Sequence, residues 1–392
     1  MGSASAVPWL TTRLSTATQL ALVVTGRDGS DCSMNSTPFR LESPSAAIAA
    51  VPYLLGYEPE NCIVAIHLVD NEIGMTMRMP LAHDASVADW AHELVSYSAH
   101  VCADSVVVIC FPDADRAACD RALDAVRAAY DERGILVRDA LMVLRARSKR
   151  SQVRWRSLMC VDVRCCSRRG TPLVEAEADR ARAFFILHGR APLSSREQLV
   201  AELHPHPTDR VGAIADLVAA AERTLQARLG ECPSDKELDA WREEAITRLS
   251  VMLGISDSAP SQWADTEIAM ALISLLDARV RDTLIWEFAQ IPRQNLWEPV
   301  CALLTEAVRC SPDGCIAPVA TLLAQLRWSY GDGARAGIAL DLALLDDPDY
   351  VMAKLMRHAI STGIPPNSWL ETLRARPRDE FRYGVGNLRR AS

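Results

Sequence analysis

The stretch Arg154-Trp155-Arg156-Ser157-Leu158-Met159-Cys160, followed by Cys165-Cys166 and Gly170-Thr171-Pro172, divides the chain. Before it, short apolar runs alternate with helical periods. After it, only helical periods remain. Val153, Trp155, Ser157 and Met159 alternate with Arg154, Arg156 and Leu158. That alternation predicts a strand, with Trp155 turned to the core and Arg154 and Arg156 on the opposite face. Trp155, Gly170 and Pro172 are read as structural anchors at the point where one domain hands the chain to the next.

Working back from it, Ser43 suits a helix N-cap and Pro44 the first helical position, and Gly56 ends the helix. Residues 62–68 are a nearly continuous apolar run, Asp70-Asn71 a turn, and 73–79 a second strand, which together predict a β-hairpin. A helix over 84–101, a strand over 105–111, a helix over 113–132 and a strand over 135–144 follow. This order predicts an α/β domain over 39–172, a mixed sheet flanked by helices. Residues 1–38, rich in Ser, Thr and Gly, are read as a disordered segment with one short strand near 20–24.

Working forward, helical periods follow one another from 174 to 361, separated by Pro-, Ser- and Gly-containing loops, and predict an all-α domain over 173–366. Ala324, Trp328, Gly331, Ala336, Ala339, Ala343, Asp347-Pro348 and Ala353 have the spacing of the helical hairpins in tetratricopeptide repeats. Residues 367–392 are read as a basic tail.

The 392 residues are 49% hydrophobic and 23% charged, which suits a sizeable globular core. A net charge of −8 argues against a general nucleic-acid binder. No apolar run is long enough for a membrane span. The cysteines are scattered, several in apolar patterns (Cys62, Cys110, Cys301), which suits buried thiols in a reducing cytoplasm.

The chemistry-bearing candidates cluster around the dividing stretch. From Arg138 to Arg169, nine arginines and Lys149 face only Asp139 and Asp162. Such a segment can hold a phosphate, a nucleotide or an acidic partner, or can be a solvated strand face. Cys160, Cys165 and Cys166 offer three thiolates for zinc, with His204 or His206 as a fourth ligand, although knuckle spacing is missing. Arg164, Arg168 and Arg169 could instead activate a redox thiol. A third reading packs the cysteines as buried thiols in a structural loop. Gly331-Asp332-Gly333 with Gly337 imitates a dinucleotide loop but follows a helical period, so it reads as a helix–helix turn. Asp113, Asp115 and Asp120 suit a helix N-terminus better than a ligand site.

Leu41-Glu42-Ser43-Pro44, Val51-Pro52-Tyr53-Leu54-Leu55-Gly56-Tyr57-Glu58-Pro59, the Trp155 to Pro172 block, Ser195-Arg196-Glu197, Arg281-Asp282 and Trp328…Gly331…Ala339…Asp347-Pro348 resemble one family. It is the actinobacterial domain-of-unknown-function family 4192. Ser167 stands where that pattern has a proline. The resemblance implies a bacterial cytoplasmic protein and brings no activity, cofactor or catalytic residue with it. Arg196 joins Arg154 and Arg156 as a candidate ligand-binding residue. The leading expectation is a non-enzymatic interaction or regulatory module with a protein partner. The alternatives are a binder or enzyme acting on a small anionic ligand through residues 154–166, and a zinc- or thiol-dependent regulator.

Overall fold

The computed structural model describes residues 22–24, 39–81, 86–96, 98, 101–112, 116–144, 152–160, 169–188, 190–255, 260–291 and 297–383. The reading of residues 1–38 as disordered falls outside them, apart from 22–24. The strands are β1 (Leu22–Val24), β2 (Phe39–Leu41), β3 (Cys62–Val69), β4 (Glu72–Pro80), β5 (Ser105–Phe111), β6 (Leu136–Leu144), β7 (Arg154–Ser157) and β8 (Thr171–Pro172). Helices α1 (Pro44–Leu55), α2 (Val87–Ser96) and α3 (Arg116–Glu132) lie among them. The rest is helical: α4 (Glu175–Leu187), α5 (Arg196–Ala201), α6 (Thr208–Leu229), α7 (Asp235–Met252), α8 (Asp265–Leu276), α9 (Ala278–Gln290), α10 (Trp297–Cys310), α11 (Ile316–Ser329), α12 (Gly333–Asp346), α13 (Val351–Ser361), α14 (Pro366–Arg374) and α15 (Arg378–Tyr383). The fold is thus a mixed sheet with flanking helices, followed by an all-α part.

The sheet runs β2-β1-β4-β3-β5-β6-β7-β8. β5 and β6 pair in parallel through α3, and the β3–β4 hairpin is antiparallel. Asp70 and Asn71 both take positive φ at its turn (51° and 70°), the geometry that matches strand twist in a two-residue hairpin. The central strands are apolar on both faces because both faces are covered. Cys62, Val64, Ile66 and Leu68 of β3 face α1 and the helical part, while Ile63 and Ala65 face α2 and α3.

Helix α1 begins as its sequence dictates. Ser43 accepts a hydrogen bond from the Ala46 amide, Pro44 occupies the first turn, and Gly56 ends the helix at φ 82°. Its buried alanines allow a close approach to α4, and Ser43 Oγ donates to Glu177 Oε2 at 2.5 Å across that contact. One apolar core continues from Leu41 and the sheet through α1 and α4 to Leu373 of α14. Helix α11, buried at every position from Ala317 to Ser329, is the axis of the helical part. Helices α14 and α15 pack on α9, so helical structure extends into the stretch read as a basic tail. Arg374 Nε donates to the Ala289 carbonyl at 2.5 Å, and Arg378 pairs with Glu287 at 2.8 Å. Those basic residues are binding α9, and the partners lie too far away in sequence to be read locally.

Beneath the α3 face, Cys110 of β5 and Cys119 of α3 form a disulfide with a Cα–Cα distance of 6.5 Å, so Cys110 is not the buried free thiol that its apolar pattern suggests, whereas Cys62 and Cys301 are. His67 of β3 is fully buried on the same face of the sheet and shares a 2.8 Å hydrogen bond with the Tyr130 hydroxyl of α3. Burial pushes the His67 pKa down from 6.5 to about 4. The unfolded chain therefore takes a proton near pH 6.5 while the folded protein resists until about pH 4. Stability from this group is complete above pH 6.5 and falls as the pH drops through that window, by up to about 3 kcal/mol. Urea unfolding at stepped pH should show this decline, and the ring signals of His67 in an NMR titration should stay neutral down to about pH 5. A His67 midpoint near 6.5 would contradict the burial argument.

Candidate functional site

The stretch 154–160 builds the sheet edge. Its alternation is as the pattern predicts, with Trp155 packed against the main core and Arg156 on the α3 side. Arg154 Nε donates to the Arg169 carbonyl at 2.8 Å, and its Nη2 to the Gly170 carbonyl at 2.6 Å. That guanidinium closes the chain from β7 onto β8. Arg156 forms an ion pair with Asp120 of α3. Both arginines thus have protein partners. Gly170 takes φ 72° with Leu144 and the Trp155 carbonyl pressed against it, and Pro172 pairs with Arg154 in the ladder. Cys160 is half-buried beyond the end of β7. Cys165 and Cys166 lie outside the described residues, as do Arg164 and Arg168.

A second group of donors sits in the helical part. His206 Nε2, Glu306 and Cys310 Sγ approach within 4.8 Å of one another. Arg210 already bonds to two of these donors, to His206 Nε2 at 3.1 Å and to Glu306, and also to Asp265 at 3.1 Å. Burial, reinforced by Glu306, pushes the Cys310 thiol up to about 11. A guanidinium bonded to two of the three donors, beside a thiol held protonated, makes this cluster an ion-pair pin. It fastens the 204–207 loop to α10, an attachment completed by Arg309 Nε bonding to the His204 carbonyl at 3.1 Å.

The concave site lies elsewhere. Between the sheet and the helical part is a cavity of ≈ 1020 Å³, walled by β4, the C-terminal ends of α1, α4, α11 and α13, and the start of α12. Its apolar wall includes Leu54, Ile73, Met75, Met77, Phe184, Trp328, Ile360 and Ile364. Its charged lining is Arg78, Arg190, Arg196 and Arg357 against the single carboxylate Asp341. The lining is thus strongly cationic in a chain whose net charge is −8.

Local structure positions each arginine. Tyr57 forms a parallel bridge with Leu193, supported by the Leu193 amide on the Gly56 carbonyl and the Glu58 amide on the Leu193 carbonyl, both 2.9 Å. That bridge sets the 190–196 segment, with Arg190 and Arg196, against the end of α1. Arg78 projects from β4, where its Nη2 lies 3.4 Å from the Glu60 carbonyl and its Nε is buried without a hydrogen bond. Arg357 Nη2 bonds to the Gly337 carbonyl at 3.1 Å and to Asp341, and its Nε is likewise buried and unbonded. Arg196 reaches Asp341 only at 3.9 Å. Arg190 has no ion-pair partner among the described residues. Tyr57 is buried; burial raises its pKa, and Arg78 and Arg196 pull against that rise.

A family model matches residues 44–367, a span that includes every residue lining this cavity. The chain belongs to the family described as Domain of unknown function (DUF4192). No curated protein and no solved structure matches it. DUF4192 membership therefore leaves the chemistry to be read from the cavity itself. Of the sequence candidates, Arg196 lines it, whereas Arg154 and Arg156 serve the sheet edge. Tyr57, Leu54, Trp328 and Gly331, all in family-like blocks, line it too. Arg78, Arg190 and Arg357 carried no local signal, standing in a strand, a loop and a helix far apart in sequence.

Proposed function

We propose that this protein is a non-enzymatic regulatory module of the cytoplasm that binds a small anionic ligand with an apolar body in the cavity between its sheet and its helices. The observation that carries this reading is the lining: four arginines and one carboxylate on apolar walls, in an otherwise acidic chain. Ligand sites are concave and mainly apolar, with a few placed polar groups that fix orientation, and this cavity is of that size. Guanidiniums partly shielded from water bind an anion far better than solvated ones. Because the walls come from both parts of the chain, an occupant would tie the sheet to the helices, and binding would be read as a change in how the two move together.

Anilinonaphthalene sulfonate, an anion on an apolar ring system, is the probe that suits this lining. It should bind the folded protein saturably at one dye per chain. Arg190→Ala should weaken that binding about tenfold, the loss of one charge-assisted contact. Dye uptake that does not saturate, or an Arg190→Ala titration that superimposes on the wild type, would overturn the proposal.

A further inference from the structure

The cavity is not uniform, and its two ends differ in chemistry. At one end the 57–60 segment is held between Leu193, whose bridge to Tyr57 brings Arg196 alongside, and Arg78, which reaches the Glu60 carbonyl. Arg78, Arg196 and the buried Tyr57 therefore surround one corner. Neither guanidinium is saturated. Arg78 keeps a buried, unbonded Nε, Arg196 approaches Asp341 at 3.9 Å, and the exposed Glu197 carboxylate is near both without a hydrogen bond to either among the described residues. A carboxylate has two oxygens, and one forked guanidinium can satisfy both. Two guanidiniums and a phenol around one corner offer more donors than that, and match the three terminal oxygens and greater charge of a phosphate monoester.

Another part of the wall carries ring surface. Phe184 and His188, one turn apart at the end of α4, place their ring centroids 4.2 Å apart. His188 Nδ1 donates to the Phe184 carbonyl at 2.7 Å, which holds the imidazole in place. Phe184 also meets Phe185 edge-on at 5.4 Å, so its orientation is fixed from behind. Such a braced pair, with Arg190 just beyond it in sequence, suits stacking against a flat π system.

Building on the cavity-binding reading above, we infer that the ligand is a phosphate monoester carried on a planar ring system, of the nucleoside monophosphate class. Its phosphate lies in the Arg78–Tyr57–Arg196 corner and its ring lies against Phe184 and His188.

Calorimetric titration with adenosine monophosphate and with adenosine tests this directly. The wild type should bind the monophosphate about tenfold or more tightly than the nucleoside. Arg78→Gln should bring the two to near-equal affinity. Should Arg78→Gln fail to fold by circular dichroism, Arg196→Gln, at an exposed position, serves the same comparison. Equal affinities in the wild type, no binding of the monophosphate, or a preference that survives both variants would overturn the inference. Saturable binding of anilinonaphthalene sulfonate to the wild type separates the two levels. If the dye binds and the monophosphate shows no advantage, the phosphate assignment falls and the anion-binding cavity stands. If the dye fails as well, both fall.

Discussion

Replacing Phe185 with alanine should cost about 4 kcal/mol of stability, near the upper range for emptying a buried aromatic site. Phe185 is 1% exposed. Its ring stacks on Tyr53 of α1 at 5.2 Å and 11°, and Phe184 meets it edge-on. It is thus the side chain that locks α4 to α1, where the sheet layer joins the helical part. The site cannot collapse readily. Apart from Tyr53, helix α1, on which α4 packs, buries mainly alanines, which have no length to move into the space. Urea unfolding should show a lower midpoint with an unchanged slope. A loss below about 1.5 kcal/mol would mean that the α1–α4 seam is not well packed. Phe185 also backs the cavity, so the same variant should bind anilinonaphthalene sulfonate more weakly even where it remains folded.

Gly170→Ala should cost about 3 kcal/mol, and Gly134→Ala supplies the comparison that explains why. Both glycines sit at positive φ, 72° and 71°, so both substitutions carry the backbone penalty of about 1 kcal/mol. A Cβ at Gly134 meets nothing within 4 Å. A Cβ at Gly170 would lie 2.7 Å from Leu144 Cδ1 and 2.9 Å from the Trp155 carbonyl oxygen. Leu144 could turn, but the carbonyl belongs to β7 and cannot move without disturbing its pairing with β8. The Gly170 carbonyl also receives Arg154 Nη2, so a shifted backbone loses that bond. The difference between the two variants, measured by denaturation under one set of conditions, isolates the close approach. Equal losses at the two positions would show that the β7–β8 contact is looser than its geometry indicates.

The main elements were legible because their signals are local. Ser43-Pro44 and Gly56 bracket α1, Asp70-Asn71 turns the hairpin, and the apolar runs of β3 and β5 announce strands buried on both faces. Trp155 and the arginines beside it were legible as a strand with two faces. What those arginines do was not. The partner of Arg156 is Asp120, 36 residues earlier, and the partners of Arg154 are backbone carbonyls that no residue type reveals. The density of charge between Arg138 and Arg169 drew attention to the sheet edge, yet the cavity takes one arginine from each of several elements. Convergence of that kind is a property of topology, here of the Tyr57–Leu193 bridge and the packing of α12 against α5 and α13. Helices α14 and α15 escaped for a similar reason. Their basic residues look like a solvated tail until α9 supplies Ala289 and Glu287 as partners.

The most direct test of the anion-binding cavity is a crystal structure of the protein grown with anilinonaphthalene sulfonate. The dye should lie between β4 and the ends of α4, α11 and α13, with its sulfonate on the guanidiniums of the lining and its rings on the apolar wall. Dye bound on another surface, with the cavity empty, would contradict the account.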